Sequence, residues 1–153
     1  MISGKARAEK ATADTEGGAL ILALQRAAHS TLHALGTRLA GEDLTASEIN
    51  ALALLADGQA RAVGELASAS GTKPTTLTSL LDRLARRGYL VRDLDPADRR
   101  SFLVSLTDQG RPVAQAARAA MSGLEAERLG AVSAAELAGF RAVVRALSEA
   151  AES

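Results

Sequence analysis

The amino-acid sequence predicts a mainly α-helical fold with one small β-hairpin. Apolar residues make up 47 % of the chain and are mostly Ala and Leu, which favour helices, whereas aromatic residues make up 2 %. Alternation of apolar and polar residues, which is typical of a strand, occurs at residues 101–106. The 153 residues are enough for a single domain with a buried core and further helices around it.

The composition excludes several classes of protein. The chain contains no cysteine, so disulfides, thiolate metal sites and cysteine redox sensors are excluded. No apolar run reaches the roughly 18 residues that a membrane span needs. Residues 1–16 mix basic and acidic side chains, and we expect a flexible N-terminal tail there rather than a secretory signal. We therefore expect a cytoplasmic protein without membrane contacts.

An enzymatic function is not indicated. The sequence has no glycine-rich phosphate loop and no cluster of metal ligands, and nothing places a Ser beside a His and an acid. We expect no catalytic residue, no cofactor and no metal. His29 and His33 lie four residues apart on one helix face, a spacing that suits a metal or a proton-sensitive pair. Two ligands make an incomplete zinc site, so the plainer interpretation is an interface or solvent-exposed pair.

Three helices are predicted before the first proline. Apolar residues at helical spacing indicate a long amphipathic helix over about residues 18–40. Thr45 and Glu48 have the spacing of a capping box, which predicts the start of a second helix. A short third helix is expected at residues 63–69, and a turn follows it.

A fourth helix and the hairpin follow. Proline is favoured at the first position of a helix and glycine just after its end, so Pro74 and Gly88 predict a helix between them. Residues 89–106 form the hairpin, with a charged tip at residues 93–100. The buried stripe of the fourth helix is expected to comprise Leu77, Leu80, Leu81 and Leu84.

The order helix, short helix, turn, helix and hairpin is typical of a winged helix-turn-helix, whose second helix lies in the major groove of DNA. The helix from Pro74 would then read bases, and the hairpin would be the wing. The chain has no net charge, but residues 73–111 contain eight basic and five acidic residues. Positive charge is therefore concentrated in the part of the chain that would meet DNA.

Two helices are predicted after the hairpin. Thr107 can cap a helix from about residue 108, and Ser133 and Glu136 form a second capping box that begins the last helix. One winged core cannot bury the apolar stripes of the first helix and of these helices. We therefore expect the helices at about 18–40 and 108–150 to hold a dimer.

Four spaced motifs lie in the predicted winged region: Leu-Leu-Asp-Arg-Leu at 80–84, Arg-Gly-Tyr-Leu-Val at 87–91, Asp-Pro-Ala-Asp-Arg-Arg at 95–100 and Val-Ser-Leu-Thr-Asp-Gln-Gly at 104–110. With these motifs, the region 44–110 resembles the DNA-binding core of the MarR family, and the likeness extends over about residues 18–150. The resemblance implies one domain over 17–153, with its winged core at 44–110. It implies an obligate homodimer, two reading helices on a pseudo-palindromic operator, and in most members repression. Many members respond to small phenolic or lipophilic ligands bound between the DNA-binding lobe and the dimer helices.

Two groups of residues are candidates for binding double-stranded DNA. Hydroxyl side chains at the start of the fourth helix can bond bases or phosphates. The resemblance implies that Arg100 enters the minor groove at the wing tip, oriented by Asp98, with Arg99 near the backbone. Alternatively, Arg100 pairs with an acid of the protein itself, with Asp82 a candidate. The full set of candidates is Lys73, Pro74, Thr75, Thr76, Thr78, Ser79, Arg83, Arg86, Asp98, Arg99, Arg100 and Ser101.

Two functional interpretations remain from the sequence. The first is a homodimeric DNA-binding transcriptional regulator that represses and responds to a small-molecule effector. The second is a winged-helix module for protein interaction or dimerisation that does not bind DNA. The aromatic residues available to a ligand pocket are Tyr89, Phe102 and Phe140, and two of them lie in the wing region, which argues against a large pocket for aromatic ligands.

Overall fold

The computed structural model describes residues 17–149, so the predicted N-terminal tail lies outside the described residues. The order of elements in this part of the chain confirms the predicted mainly helical fold with a small hairpin. The elements are α1 (Ala19–Arg38), a 3₁₀ turn (Ala40–Glu42), α2 (Ala46–Leu55), β1 (Arg61–Ala62), α3 (Val63–Ser70), α4 (Pro74–Arg86), β2 (Leu90–Leu94), β3 (Phe102–Leu106), α5 (Gly110–Leu129) and α6 (Ala134–Glu149).

The core lies beneath the helix-turn-helix. The predicted stripe of α4 is buried as expected, and it packs with leucines of α2 and α3. The capping box of Thr45 and Glu48 is present, so α2 begins where the sequence predicts. α4 has Pro74 in its first turn, and Gly88 follows its end with φ 80°, a backbone conformation that favours glycine. Local sequence signals therefore determine both ends of the reading helix.

The three strands form one antiparallel sheet in the order β1–β3–β2. β2 and β3 are the predicted hairpin, with Leu94 opposite Phe102 near its tip. β1 pairs Arg61 with Val104 along the other edge of β3. The sequence reasoning missed this edge strand because two residues are too few to show a period.

The start of α5 is tied to the end of α4. The hydroxyl of Thr107 accepts a hydrogen bond from the backbone N–H of Gly110 at 3.0 Å and donates one to the carbonyl of Gly88 at 2.6 Å. Thr107 therefore caps this helix, which begins at Gly110 rather than at residue 108. A Cβ at Gly110 would collide with the carbonyl of Tyr89, so this close approach requires glycine.

The two terminal helices remain largely outside the core. In the described part of α6 no residue is buried, and in α1 only Leu35 is. Large apolar side chains are exposed on both, among them Leu20 of α1 and Phe140 and Val143 of α6. A single chain thus leaves these apolar stripes without a partner. No helix within residues 17–149 is long and apolar enough to cross a membrane.

Candidate DNA interface

The exposed face of α4 carries short hydroxyl side chains. Thr75, Thr76, Thr78 and Ser79 are all exposed. The hydroxyl of Thr78 donates to the carbonyl of Pro74 at 2.9 Å, and that of Ser79 to the carbonyl of Thr75 at 3.4 Å. Because these hydroxyl hydrogens bond within the helix, the oxygens keep lone pairs that can accept from a base amino group.

The N-terminus of α4 has no side-chain cap. Lys73 occupies the N-cap position in an extended conformation and makes no capping hydrogen bond. The first backbone N–H groups of a helix lack partners within it, and they attract phosphate groups. Lys73 and Pro74 are both exposed, so this end of the helix is open to solvent. The predicted residues of this turn therefore lie where a DNA backbone can approach them.

An open groove of about 500 Å³ lies between α4 and the start of α2. The sequence reasoning missed the α2 side of this groove. A capping box marks a helix start, but it does not indicate which surface that start will face. The groove is lined by Thr45, Ser47, Thr75, Thr76, Ser79, Leu80 and Arg83.

Arg83, which lines this groove, is held in place by a buried carboxylate. Its Nε donates to Oε1 of Glu48 at 3.0 Å, and the side chain of Arg83 is 50 % exposed while that of Glu48 is 5 % exposed. Burial raises the pKa of Glu48, but hydrogen bonds from Thr45 and Arg83 outweigh this and lower the pKa below its ordinary value. Glu48 is therefore a carboxylate at neutral pH, and it keeps Arg83 paired.

The wing is joined to α4 by an ion pair. The carboxylate of Asp82 pairs with Arg92 of β2. The sequence reasoning considered Arg100 as the partner of Asp82, and the structure places Arg92 there instead. Arg86, one turn further along α4, is exposed, and its Nε donates to the carbonyl of Asp82 at 3.4 Å.

The wing tip, residues 95–101, is closed by short hydrogen bonds. The carboxylate of Asp98 accepts from the backbone N–H of Arg100 at 3.0 Å, so it shapes the loop rather than orienting the guanidinium as expected. The hydroxyl of Ser101 donates to the carbonyl of Asp98 at 3.2 Å. Arg99 and Arg100 are exposed, and neither guanidinium has a carboxylate within 4.0 Å in the part of the chain that the structure describes. Both are available to an external anion.

The candidate residues thus form two surfaces with different chemistry. The groove surface, which comprises the residues that line the groove between α4 and α2, presents neutral hydroxyls and one paired arginine. The wing tip presents two arginines that have no carboxylate partner within residues 17–149. The pair of Asp82 and Arg92 connects them. A polar helix face beside a cationic loop suits base contacts in the major groove of DNA together with charge contacts in its minor groove.

The histidine pair lies away from both surfaces. His29 and His33 are exposed on α1. Among the described residues no group of three or more His, Cys, Asp or Glu could hold a metal ion. An apolar groove of about 420 Å³ lies nearby between α1 and α6, and its walls include Leu24, Phe140 and Val144.

Comparison with known proteins identifies the family. The MarR family profile matches residues 44–102, which cover the groove surface and the wing tip. The chain is 32 % identical over 108 residues to the transcriptional regulator HosA of Escherichia coli O111:H-, an alignment that covers 71 % of this chain and 80 % of HosA.

A second relative is also a transcriptional regulator, and a solved structure has the same fold. The chain is 34 % identical over 90 residues to a helix-turn-helix transcriptional regulator of Mycobacterium bovis. That alignment covers 59 % of this chain but 63 % of the relative, so the match spans somewhat less than two thirds of the mycobacterial protein. The fold matches CouR of Rhodococcus jostii RHA1, crystallised with p-coumaroyl-CoA, with a TM-score of 0.75, 24 % identity, and coverage of 84 % of this chain and 91 % of CouR. The chain belongs to the MarR family of transcriptional regulators, and its relatives are regulators rather than enzymes.

Proposed function

We propose that this chain is a homodimeric repressor that binds a pseudo-palindromic DNA operator and is released by a small-molecule effector. The observation that carries the proposal is an exposed hydroxyl face on α4 together with a wing tip whose two arginines form no ion pair in the described part of the chain. In a winged helix-turn-helix these surfaces meet the major and minor grooves of one half-site. A repressor of this kind blocks access of other proteins to the DNA it covers.

The exposed apolar stripes of α1 and α6 support the homodimer. Phe140 and Val143 of α6 are 57 % and 55 % exposed, and burial of such side chains stabilises association by roughly 25 cal/mol per Å² of apolar surface. Sedimentation at micromolar concentration should report twice the chain mass, and removal of residues 130–153 should abolish both the dimer and DNA binding. A stable monomer that binds DNA would contradict this part of the proposal.

The experiment that tests DNA binding is selection of fragments from sheared genomic DNA, followed by gel shift and footprinting. A two-fold dimer places its reading helices one helical turn apart, so the protected sequence should be an inverted repeat with half-site centres roughly 10 bp apart. The double variant Arg99→Ala with Arg100→Ala is the control for weakened binding. Both side chains are exposed, so their loss should reduce DNA binding without disturbing folding. Protection of one asymmetric half-site would contradict the proposed symmetry.

A small-molecule effector would bind between the DNA-binding lobe and the dimer helices. CouR, which shares the fold, was crystallised with p-coumaroyl-CoA. In this chain a depression of about 230 Å³ lies between α2, α3 and α5, and its walls include Asn50, Leu54 and Arg118. It is smaller than the roughly 300–1,000 Å³ of common ligand pockets, which favours a small ligand with an anionic group facing Arg118. Release of the operator by small organic acids, lost in Arg118→Ala, tests this site.

The alternative function is a protein-interaction or dimerisation module that does not bind DNA. The groove surface disfavours it, because its lining is mostly serine and threonine rather than the aromatic and methionine side chains that are enriched in protein interfaces. Failure of the wild-type chain to retain any fragment of genomic DNA, with an intact dimer, would favour this alternative.

A further inference from the structure

The carboxylate of Glu48 is buried at the start of α2. Within residues 17–149, no other polar or charged residue is buried, and Glu48 has 4 % of its surface exposed. Its Oε2 accepts from the backbone N–H of Thr45 at 2.8 Å, which completes the cap of α2. Its Oε1 accepts from Nε of Arg83 at 3.0 Å. The second contact joins α2 to the reading helix and is not needed for capping.

Two other capping glutamates show what a cap alone requires. Glu65 accepts from the backbone N–H of Ala62 at 3.1 Å, and Glu136 accepts from that of Ser133 at 2.9 Å. Both are exposed, and neither forms an ion pair with an arginine among the described residues. The arginine contact of Glu48 is therefore a separate feature of this helix start.

The contact determines what remains free on Arg83. Because Nε is engaged, the two Nη groups form the outer end of the guanidinium, on a side chain that is half exposed and lines the groove. Thr76, Ser79 and Arg83 are spaced three and four residues apart, so they share one face of α4. With a rise of about 1.5 Å per residue, this face spans roughly 10 Å, or about three base pairs.

We propose that Glu48 is a positioning residue that holds Arg83 so that its Nη groups read one guanine in the major groove of each half-site. Guanine presents O6 and N7 there, and arginine is the side chain that most often binds this pair of acceptors. An arginine without a fixed orientation can reach a phosphate as easily as a base, and a phosphate contact carries no sequence information. The inference rests on the proposed DNA binding and names a specificity determinant within it.

The test measures base preference separately from affinity. An operator selected by the wild-type protein from random duplexes is varied at each base pair in turn, and binding of each duplex is measured at several salt concentrations. The variants are Arg83→Lys, which keeps the charge but not the planar fork, and Glu48→Gln, which leaves one acceptor oxygen where two are used. Glu65→Gln is the matched control, because it alters a capping glutamate that forms no ion pair with an arginine among the described residues.

We expect the variants of Arg83 and Glu48 to lose part or all of the preference for G·C at one base pair of each half-site. Wild-type protein should prefer G·C at one position of each half-site by roughly fivefold or more. Glu48→Gln should bring that ratio close to one, and Arg83→Lys should lower it, because a lysine can still donate to guanine but lacks the planar fork. Both variants should bind random DNA with nearly the wild-type affinity and salt slope. Glu65→Gln should keep the ratio. Arg83 is half exposed, so Arg83→Lys tests the reading role even where Glu48→Gln lowers the yield of folded protein.

Three results would overturn the inference. The first is an unchanged preference in Arg83→Lys. The second concerns a further variant, Arg83→Ala, and is an equal loss of affinity on every duplex with a salt slope lower by about one, which marks a phosphate contact. The third is a lower melting temperature in Glu48→Gln with the preference intact, which marks a helix cap alone. If the wild-type chain selects no DNA, the proposed function fails as well, whereas these three results remove only the inference.

Discussion

The winged lobe and the terminal helices use the same apolar residues in opposite ways. In the lobe, Leu81 and Leu84 of α4 are fully buried within one chain. In α6, Phe140 and Val143 are more than half exposed. Both regions show helical periodicity in the sequence, so periodicity alone indicates an apolar face but not the chain that covers it. The lobe buries its apolar residues within one chain, whereas the terminal helices leave theirs exposed, and we propose that a second copy of the chain covers them.

The largest expected effect is on assembly. Phe140→Asp places a charge in the apolar surface of α6, and a desolvated, unpaired charge opposes association strongly. We expect a monomer that retains helical circular dichroism and no longer shifts DNA, measured by sedimentation and gel shift. Leu94→Asp is the matched control for oligomeric state, because Leu94 of the wing is 56 % exposed and Phe140 is 57 % exposed. A dimer that persists in Phe140→Asp would place the interface elsewhere.

The next effect is on stability within one chain. Leu81→Ala removes a fully buried side chain, and such cavities cost about 2–5 kcal/mol in free energy of unfolding. Urea unfolding at several protein concentrations should show this loss at every concentration. Val143→Ala should lower stability mainly by weakening association, so its effect should grow as the protein is diluted. If the loss of stability depended on protein concentration to the same degree in both variants, the proposed difference between the winged lobe and the terminal helices would be wrong.

Within the lobe, the wing tip is expected to act through charge. Arg99→Ala should weaken binding to operator DNA and to random DNA to a similar degree, and it should lower the salt slope of binding by about one. Arg100→Ala should weaken binding most where the operator is A·T-rich, because a narrow minor groove has an enhanced negative potential. If neither variant changes affinity or slope, the wing does not touch DNA.

A smaller effect concerns acid stability. The pKa of Glu48 is lowered in the folded chain, so its contribution to stability is present above its unfolded pKa of about 4.3 and is lost as pH falls through the lower folded pKa. Glu48→Gln cannot titrate, so its free energy of unfolding should depend less on pH below about 4.3 than that of the wild-type chain. Unfolding in urea at pH 7 and at pH 3 compares the two, and identical acid losses would show that Glu48 does not contribute.

The smallest effect belongs to one hydroxyl of the reading helix. Thr76→Ala removes a single exposed side-chain oxygen, so we expect less than about 1 kcal/mol of changed preference at one base pair and an almost unchanged salt slope. Binding to the panel of operator variants measures it. A uniform loss on all sequences would indicate that Thr76 contacts a phosphate.

Much of the fold could be predicted because its signals are local. The capping box of Thr45 and Glu48, the proline that begins α4 and the glycine after it act over a few residues, and each is present in the structure. The sequence reasoning missed β1 because its two residues gain their strand conformation from pairing with β3. It likewise missed Ser47 as part of the groove, since only the packing of α2 beside α4 brings it there.

The candidate site shows the same division. By itself the sequence determined the elements that carry the polar and cationic residues, because helix ends, turns and strand alternation follow from short-range spacing. Only the tertiary structure decided which charges pair: Asp82 pairs with Arg92 rather than Arg100, and Glu48 pairs with Arg83. Several arginines carry the same charge, and the angle and distance between packed elements select among them. That selection also leaves Arg99 and Arg100 of the wing tip without an ion pair among the described residues, and short-range sequence spacing does not predict it.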